Sequence, residues 1–133
     1  MLRALTPRIL VVDDDPGMRR SLAIMLRRER YQVTETGSVL EAAGRLQRED
    51  YDLVISDLLM EPLNGLDLLG LVRRYQPTCP AIIITAFGTP EKRSEALRLG
   101  ALDFLEKPLR PAELLLQIRD ILNRPSSLHN EMI

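Results

Sequence analysis

Carboxylates, a hydroxyl group and an ammonium group each stand at the end of an apolar run in this sequence. Asp13 and Asp14 follow "RILVV", Asp57 follows "LVIS", Thr85 ends "AIIIT", and Lys107 follows "DFLE". Carboxylates that lie close together repel one another unless a cation joins them or some stay protonated. Oxygen ligands without histidine or cysteine suit Mg²⁺ or Mn²⁺ rather than zinc. A metal, a hydroxyl and an ammonium together suit phosphoryl transfer, with Asp57 as the nucleophile.

Five short apolar segments alternate with segments of helical spacing, and this alternation is what brings the polar residues together. The expected strands are residues 8–12, 31–36, 51–56, 81–85 and 103–107. Most are almost continuously apolar, as strands covered on both faces must be. The alternation predicts a doubly wound α/β domain with a five-stranded parallel sheet. Right-handed crossovers place all carboxyl ends of the strands at one edge, where ligands bind in such sheets.

Proline and glycine mark the expected helix boundaries. Pro16, Pro90 and Pro111 suit first helical turns, and Gly100 suits a left-handed cap after the fourth helix. Asp15 is interpreted as an N-cap rather than as a metal ligand. Apolar helix faces are expected at Met18, Leu22, Met25 and Leu26, at Leu66, Leu69 and Val72, and at Leu114, Ile118, Ile121 and Leu122.

Composition narrows the class of protein. The 133 residues carry 18 basic and 19 acidic side chains, so the net charge of -1 gives no reason to expect nucleic acid or an anionic membrane as partner. The arginine pairs at 19–20, 27–28 and 73–74 are interpreted as solvated helix faces. No apolar run approaches the ~20 residues that span a bilayer. The single Cys79 is interpreted as a small packed side chain and not as a reactive thiol. A cytoplasmic location is expected.

Four segments together resemble a known family. "ILVVDDDP", "VISDLLM", "IIITAFG" and "DFLEKPL" are similar to the response-regulator receiver domain of two-component signalling, over about residues 8 to 122. The resemblance implies a flavodoxin-like three-layer α/β/α fold with strand order 2-1-3-4-5. Strands one and three are then neighbours, which places Asp13 and Asp14 beside Asp57.

The resemblance also implies a role for each acidic residue. Asp57 becomes the phosphoacceptor. Asp14 and Asp57 become direct ligands of Mg²⁺ (or Mn²⁺), with the backbone carbonyl of Leu59 as a third ligand. Asp13 holds a metal-bound water.

Further implied roles concern the phosphoryl group and the response to it. Thr85 and Lys107 contact the phosphoryl group, and the Lys107-Pro108 peptide is expected to be cis. Thr85 and Phe104 act as the switch, although a plain core role for Phe104 stays open. The implied partners are a sensor histidine kinase or a phosphotransfer protein. The surface of helix four, strand five and helix five is expected to bind an output element or to form a homodimer.

The segment after Asp57 departs from the family at one point. Family members often have Met-Pro, whereas Glu61 follows Met60 here and the proline comes one place later. This is interpreted as a local turn variant. The positions that influence phosphate lifetime in the family hold Leu59 and Phe87, so slow self-dephosphorylation is expected because neither side chain can orient water.

Three other functions are less consistent with the sequence. A phosphate-ester hydrolase that uses an aspartyl phosphate usually has a second acid where Leu59 stands. A flavin or nucleotide carrier is disfavoured because the acids of "DDDPG" repel phosphate. An unphosphorylated adaptor that acts only by protein contact remains as the alternative. The domain is expected to be a signalling switch that assists its own phosphorylation and is not a turnover enzyme.

The last residues of the sequence are more polar than the segments before them. Residues 1–122 are assigned to the receiver domain, and residues 123–133, "NRPSSLHNEMI", to a polar tail or the start of a linker. His129 is interpreted as a tail residue. A longer regulator with an output domain, in transcription control, is the expected context.

Overall fold

The computed structural model describes residues 6–124, which form a parallel sheet between two layers of helices. The strands are β1 (Arg8–Val12), β2 (Gln32–Thr36), β3 (Leu53–Asp57), β4 (Ala81–Thr85) and β5 (Asp103–Glu106). The helices are α1 (Pro16–Arg28), α2 (Val39–Arg48), α3 (Gly65–Tyr75), α4 (Pro90–Arg98) and α5 (Pro111–Leu122). The strands pair in the order β2-β1-β3-β4-β5, all parallel, which confirms the predicted fold class.

Side chains of the sheet alternate between two apolar cores, because successive strand residues point to opposite faces. On one face, Ile9, Ile55 and Ile82 pack with residues of α1 and α5. On the other face, Leu10 and Ile83 pack with residues of α2 and α3. Both faces are therefore covered, which explains why the strands read as continuous apolar runs.

Most helix boundaries fall where the sequence placed them. Pro16, Pro90 and Pro111 are the first residues of α1, α4 and α5. The Asp15 carboxylate accepts hydrogen bonds from the first backbone N–H groups of α1, which confirms it as the N-cap. Gly100 follows α4 with φ +110°, in the left-handed region that favours glycine.

The strand boundaries are close to those predicted. Strands β1 and β4 match, and the others differ by one or two residues at their ends. The apolar face of α1 differs more, because Met18 is 42% exposed while Leu26 is buried. Met18 lines a cleft at the carboxyl edge of the sheet instead of packing in the core.

The final residues of the chain are only partly described. Helix α5 ends at Leu122, and residues 125–133, including His129, lie outside the described residues, so the predicted tail stays a prediction. Within residues 6–124, no helix has the length and apolar character needed to cross a membrane.

Candidate functional site

The carboxyl edge of the sheet carries the polar residues that the sequence singled out. Asp13 follows β1, while Asp57 and Thr85 are the last residues of β3 and β4, and Lys107 follows β5 directly. Strands β1 and β3 are neighbours, with Val12 opposite Ser56. An aspartate follows each of these two residues, so adjacent strands deliver two carboxylates side by side.

Three carboxylates and one ammonium group meet at this edge. Asp13, Asp14 and Asp57 each offer a carboxylate oxygen, and these oxygens lie within 4.8 Å of one another. The Nζ of Lys107 lies 3.7 Å from Oδ2 of Asp13 and 3.6 Å from Oδ1 of Asp57. Clustered oxygen donors beside a free approach from solvent fit a hard divalent cation such as Mg²⁺ or Mn²⁺. Asp14 is exposed and provides that approach.

Backbone and side-chain hydrogen bonds hold the loop after β1. The backbone N–H of Asp13 donates to the carbonyl of Thr36 at 3.1 Å, which extends the pairing of β1 with β2. The backbone N–H of Asp15 donates to Oδ1 of Asp13 at 2.9 Å. The Asp13 side chain is buried. One of its carboxylate oxygens accepts the hydrogen bond from the loop, and the other faces Lys107.

The two predicted switch residues are buried, one at the end of β4 and one on β5. Thr85 is fully buried, and its hydroxyl accepts a hydrogen bond from the N–H of Phe87 at 3.1 Å. Phe104 is 2% exposed and belongs to a core cluster. Lys107 is held at the end of β5 by its N–H, which donates to the carbonyl of Thr85 at 2.8 Å.

A comparison with known protein families identifies the domain. Residues 9–119 match the family model of the response regulator receiver domain. The chain belongs to this family. Receiver domains are signalling switches of two-component systems, and they interact with histidine kinases.

Curated relatives of this receiver domain include transcriptional regulators. The chain is 37% identical to transcriptional regulatory protein GlrR of Escherichia coli over 123 residues, which are 92% of this chain and 28% of that protein. It is 42% identical to transcriptional activator protein PfeR of Pseudomonas aeruginosa, over 82% of this chain and 35% of that protein. The chain therefore spans about a third or less of the length of these relatives.

Solved structures share the fold of this receiver domain. A CheY-like response regulator receiver domain protein from Methanospirillum hungatei has a TM-score of 0.85 at 28% identity, covering 89% of this chain and 94% of that chain. The receiver domain of response regulator 1452 from Francisella has a TM-score of 0.83 at 28% identity, covering 90% of this chain and 98% of that chain.

The electrostatics of the receiver site centre on Asp57. Burial raises the pKa of the Asp57 carboxyl, and the charges of Asp13 and Asp14 raise it further. The Lys107 ammonium and the backbone N–H of Leu58 lower the pKa, but they do not compensate fully. The carboxylate is therefore held in surroundings that favour the arrival of positive charge.

Two small residues that sequence reasoning did not assign to the site support its backbone. The buried Ser56 hydroxyl donates to the carbonyl of Asp57 at 2.8 Å. A Cβ atom on Gly65 would lie 2.5 Å from the same carbonyl, so only glycine allows α3 to begin there. The Asn64-Gly65 pair in the sequence could have indicated this glycine, because asparagine favours helix N-caps and the Asn64 side chain caps α3.

The remaining site predictions concern peptide geometry and Leu59. The Lys107-Pro108 peptide is cis, as predicted, and the Glu61-Pro62 peptide is cis as well, which the sequence did not indicate. The Leu59 side chain is 44% exposed in the loop after β3. Its backbone carbonyl as a metal ligand stays a prediction.

A small cleft opens beside the charged groups. Its volume is about 30 Å³, and Asp13, Asp57, Lys107 and Met18 are among the residues that line it. A space of this size holds a water molecule or a small ion. Apolar walls lower the local dielectric and so strengthen the interaction of the carboxylates with any bound cation.

Proposed function

We propose that this receiver domain accepts a phosphoryl group on Asp57 from the histidine of a kinase or phosphotransfer protein, and thereby switches an output in transcription control. The observation that carries the proposal is the meeting of three carboxylates with the Lys107 ammonium at the end of β3. The relatives named as transcriptional regulators support the choice of output. The expected cytoplasmic location remains a prediction from composition.

The groups around Asp57 indicate how the phosphoryl group would be transferred. An Asp57 oxygen attacks the phosphorus, the bond between phosphorus and the donor imidazole nitrogen breaks, and the imidazole leaves with that electron pair. The product is an acyl phosphate on Asp57. Lys107, already 3.6 Å from Asp57, supplies positive charge to the phosphoryl oxygens.

The metal site would use the same carboxylates. Asp14, Asp57 and the carbonyl of Leu59 would hold Mg²⁺ (or Mn²⁺) directly, and Asp13 would hold it through a water. When bound, the ion neutralises charge on the phosphoryl oxygens. The buried Asp13 and the exposed Asp14 suit these two roles, since the exposed side chain can turn freely to meet an ion.

The response would begin at Thr85. Its hydroxyl, now occupied by the N–H of Phe87, would turn to donate to the phosphoryl group. The loop after β4 would follow, and the ring of Phe104 would then gain room to move. Ala96 is the buried residue of α4, so few apolar contacts hold this helix in place. The face of α4, β5 and α5 would therefore change, and it would bind the output element or a second copy of the domain.

The domain would act as a switch without turnover, because the phosphoryl group stays on the protein until water removes it. The alternative is an adaptor that acts by contact alone. Three carboxylates beside one lysine are not needed for contact alone, and their excess negative charge is unfavourable unless a metal cation binds.

Incubation with acetyl phosphate and Mg²⁺, followed by intact-mass measurement, tests the phosphoacceptor. We expect a gain of one phosphoryl group in the wild type and none in Asp57→Asn or when EDTA is present. Asp120→Asn, which removes an exposed carboxylate on α5, is the matched control and should be phosphorylated like the wild type. If the wild type gains no mass, the adaptor function is favoured.

A further inference from the structure

Arg19 differs from the other arginines of α1 in where its side chain lies. The sequence pattern suggested a solvated face for this arginine, but its side chain is 22% exposed, against 65% for its neighbour Arg20. Its Nη1 donates a hydrogen bond to the backbone carbonyl of Asp13 at 2.9 Å. The first helix therefore reaches back to the loop that carries the acids.

The carbonyl of Asp13 belongs to the peptide that joins Asp13 to Asp14. A peptide unit is planar, so a hydrogen bond to its oxygen restrains the rotation of the whole unit. The two flanking side chains leave the backbone in directions set by that plane. One contact from Arg19 thus restrains the backbone positions from which both side chains of the loop extend.

Glu35 on β2 anchors the arginine from the other side. Its side chain is 16% exposed, and its Oε1 lies 3.5 Å from Nε of Arg19. Arg20 and Arg27 also pair with Glu35, at 3.3 Å and 3.0 Å. Because β2 pairs directly with β1, Glu35 is fixed relative to the strand that ends at the acids.

The guanidinium group occupies a restricted space. A Cβ atom on Gly37 would stand 3.1 Å from Nη1 of Arg19, so a larger residue there would press on the group. Among the described residues, Nε of Arg19 is the buried side-chain donor without a hydrogen bond, since its approach to Glu35 lacks hydrogen-bond geometry. A buried donor without an acceptor is unfavourable. The hydrogen bond to the Asp13 carbonyl holds Nη1 in this space, and the ion pair with Glu35 holds the group from the other side.

We propose that Arg19 is a positioning residue for the metal site. It holds the peptide between Asp13 and Asp14 in the orientation that turns both carboxylates toward Asp57. This role rests on the proposed function, because the ion would be the Mg²⁺ that assists phosphorylation. Arg19 acts through the loop, and its guanidinium supplies a fork of donors that an ammonium group cannot reproduce.

Titration of the full chain with MgCl₂ by isothermal calorimetry tests this role. We expect Arg19→Met to weaken Mg²⁺ binding about tenfold, the effect typical of losing a group that orients a metal ligand. Arg20→Met is the matched control, because it removes the same charge from α1 and an ion pair to Glu35. It should bind Mg²⁺ nearly as well as the wild type. Equal weakening in both variants would overturn the role and assign the effect to the ion pairs that both arginines make with Glu35, because losing a positive charge would by itself favour Mg²⁺.

A second measurement does not depend on the metal. Without Mg²⁺, hydrogen exchange at the amide of Asp15, which donates to the Asp13 carboxylate, should be faster in Arg19→Met than in Arg20→Met. Amides of β3 should exchange alike in the two variants. Unchanged exchange at Asp15 would contradict the role of Arg19. This holds even if the wild type binds no Mg²⁺, a result that would refute the proposed function instead.

Glu35→Gln provides a variant in case Arg19→Met does not fold. It leaves Arg19 in place but removes the charge that anchors it, so Mg²⁺ binding and the protection of the Asp15 amide should both fall, by less than in Arg19→Met. If a folded Glu35→Gln protein keeps both its Mg²⁺ affinity and the protection of the Asp15 amide, Glu35 does not anchor Arg19.

Discussion

At the scale of single residues, the two positions that influence phosphate lifetime in the family carry apolar side chains that are open to solvent. Leu59 is 44% exposed and Phe87 is 70% exposed. Neither can hydrogen-bond an attacking water. We predict that the phosphoryl group on Asp57 is lost over many minutes, and that Leu59→Asn shortens its lifetime severalfold because an amide can orient water. Intact-mass measurement after removal of acetyl phosphate follows the decay.

Leu102→Asn is the control for this substitution. Leu102 directly precedes β5, at the opposite edge of the sheet, and its exposure of 42% is close to that of Leu59. Its phosphorylated form should decay like the wild type. Loss of the phosphoryl group from the wild type within seconds would show that another group orients the water.

At the scale of secondary-structure elements, the loop between β4 and α4 passes very close to β5. A Cβ atom on Gly88 would lie 2.9 Å from Cε2 of Phe104 and 3.3 Å from Cγ2 of Thr85. Alanine in place of glycine commonly stabilises a protein by about 0.4–1 kcal/mol. Overpacking costs about 1–3 kcal/mol, so Gly88→Ala should lower the free energy of unfolding by about 1–2 kcal/mol. Urea denaturation measures this change.

Gly70→Ala makes the matched comparison for Gly88→Ala. Gly70 lies inside α3, and a Cβ atom there would have no neighbour within 4 Å. This variant should therefore gain about 0.5–1 kcal/mol from helix propensity. Equal stability changes for the two glycines would mean that the loop can move away from Phe104 at no cost.

At the scale of the whole molecule, a net charge of -1 conceals a local excess of negative charge at one sheet edge. Burial raises the pKa of Asp57 above 3.8, so the folded protein binds this proton more tightly than the unfolded chain does. Stability from this group is therefore lost as the pH rises from 3.8 through the raised value. We predict that Asp57→Asn melts at a higher temperature than the wild type at neutral pH without metal.

The melting temperatures of both proteins, measured with EDTA from acid to neutral pH, test this. The difference should shrink as the pH falls, because a protonated carboxyl and an amide are both neutral. At a Mg²⁺ concentration of 100 Kd the wild type should gain about 2.7 kcal/mol, and Asp57→Asn less. A difference that is the same at acid and neutral pH would argue against a role for the Asp57 charge.

The amino-acid sequence alone determined the α/β class and the edge at which Asp13, Asp57 and Lys107 meet. Apolar periodicity and the alternation of strands with helices are properties of short segments, so they can be recognised in the sequence without the tertiary structure. The caps at Asp15 and Gly100 are local for the same reason. Strand order came from the resemblance to receiver domains, since local patterns do not say which strands pair.

The tertiary structure decided which side chains are covered and by what. Met18 lies on the expected apolar face of α1, yet it is half exposed because it lines the cleft at the sheet edge. Arg19 looked like a surface charge, yet it contacts the loop of Asp13 once α1 packs against β1 and β2. Gly88 and Phe104 are distant in sequence and meet only when the loop after β4 closes over β5. Burial depends on neighbours from other segments, and only the assembled fold supplies them.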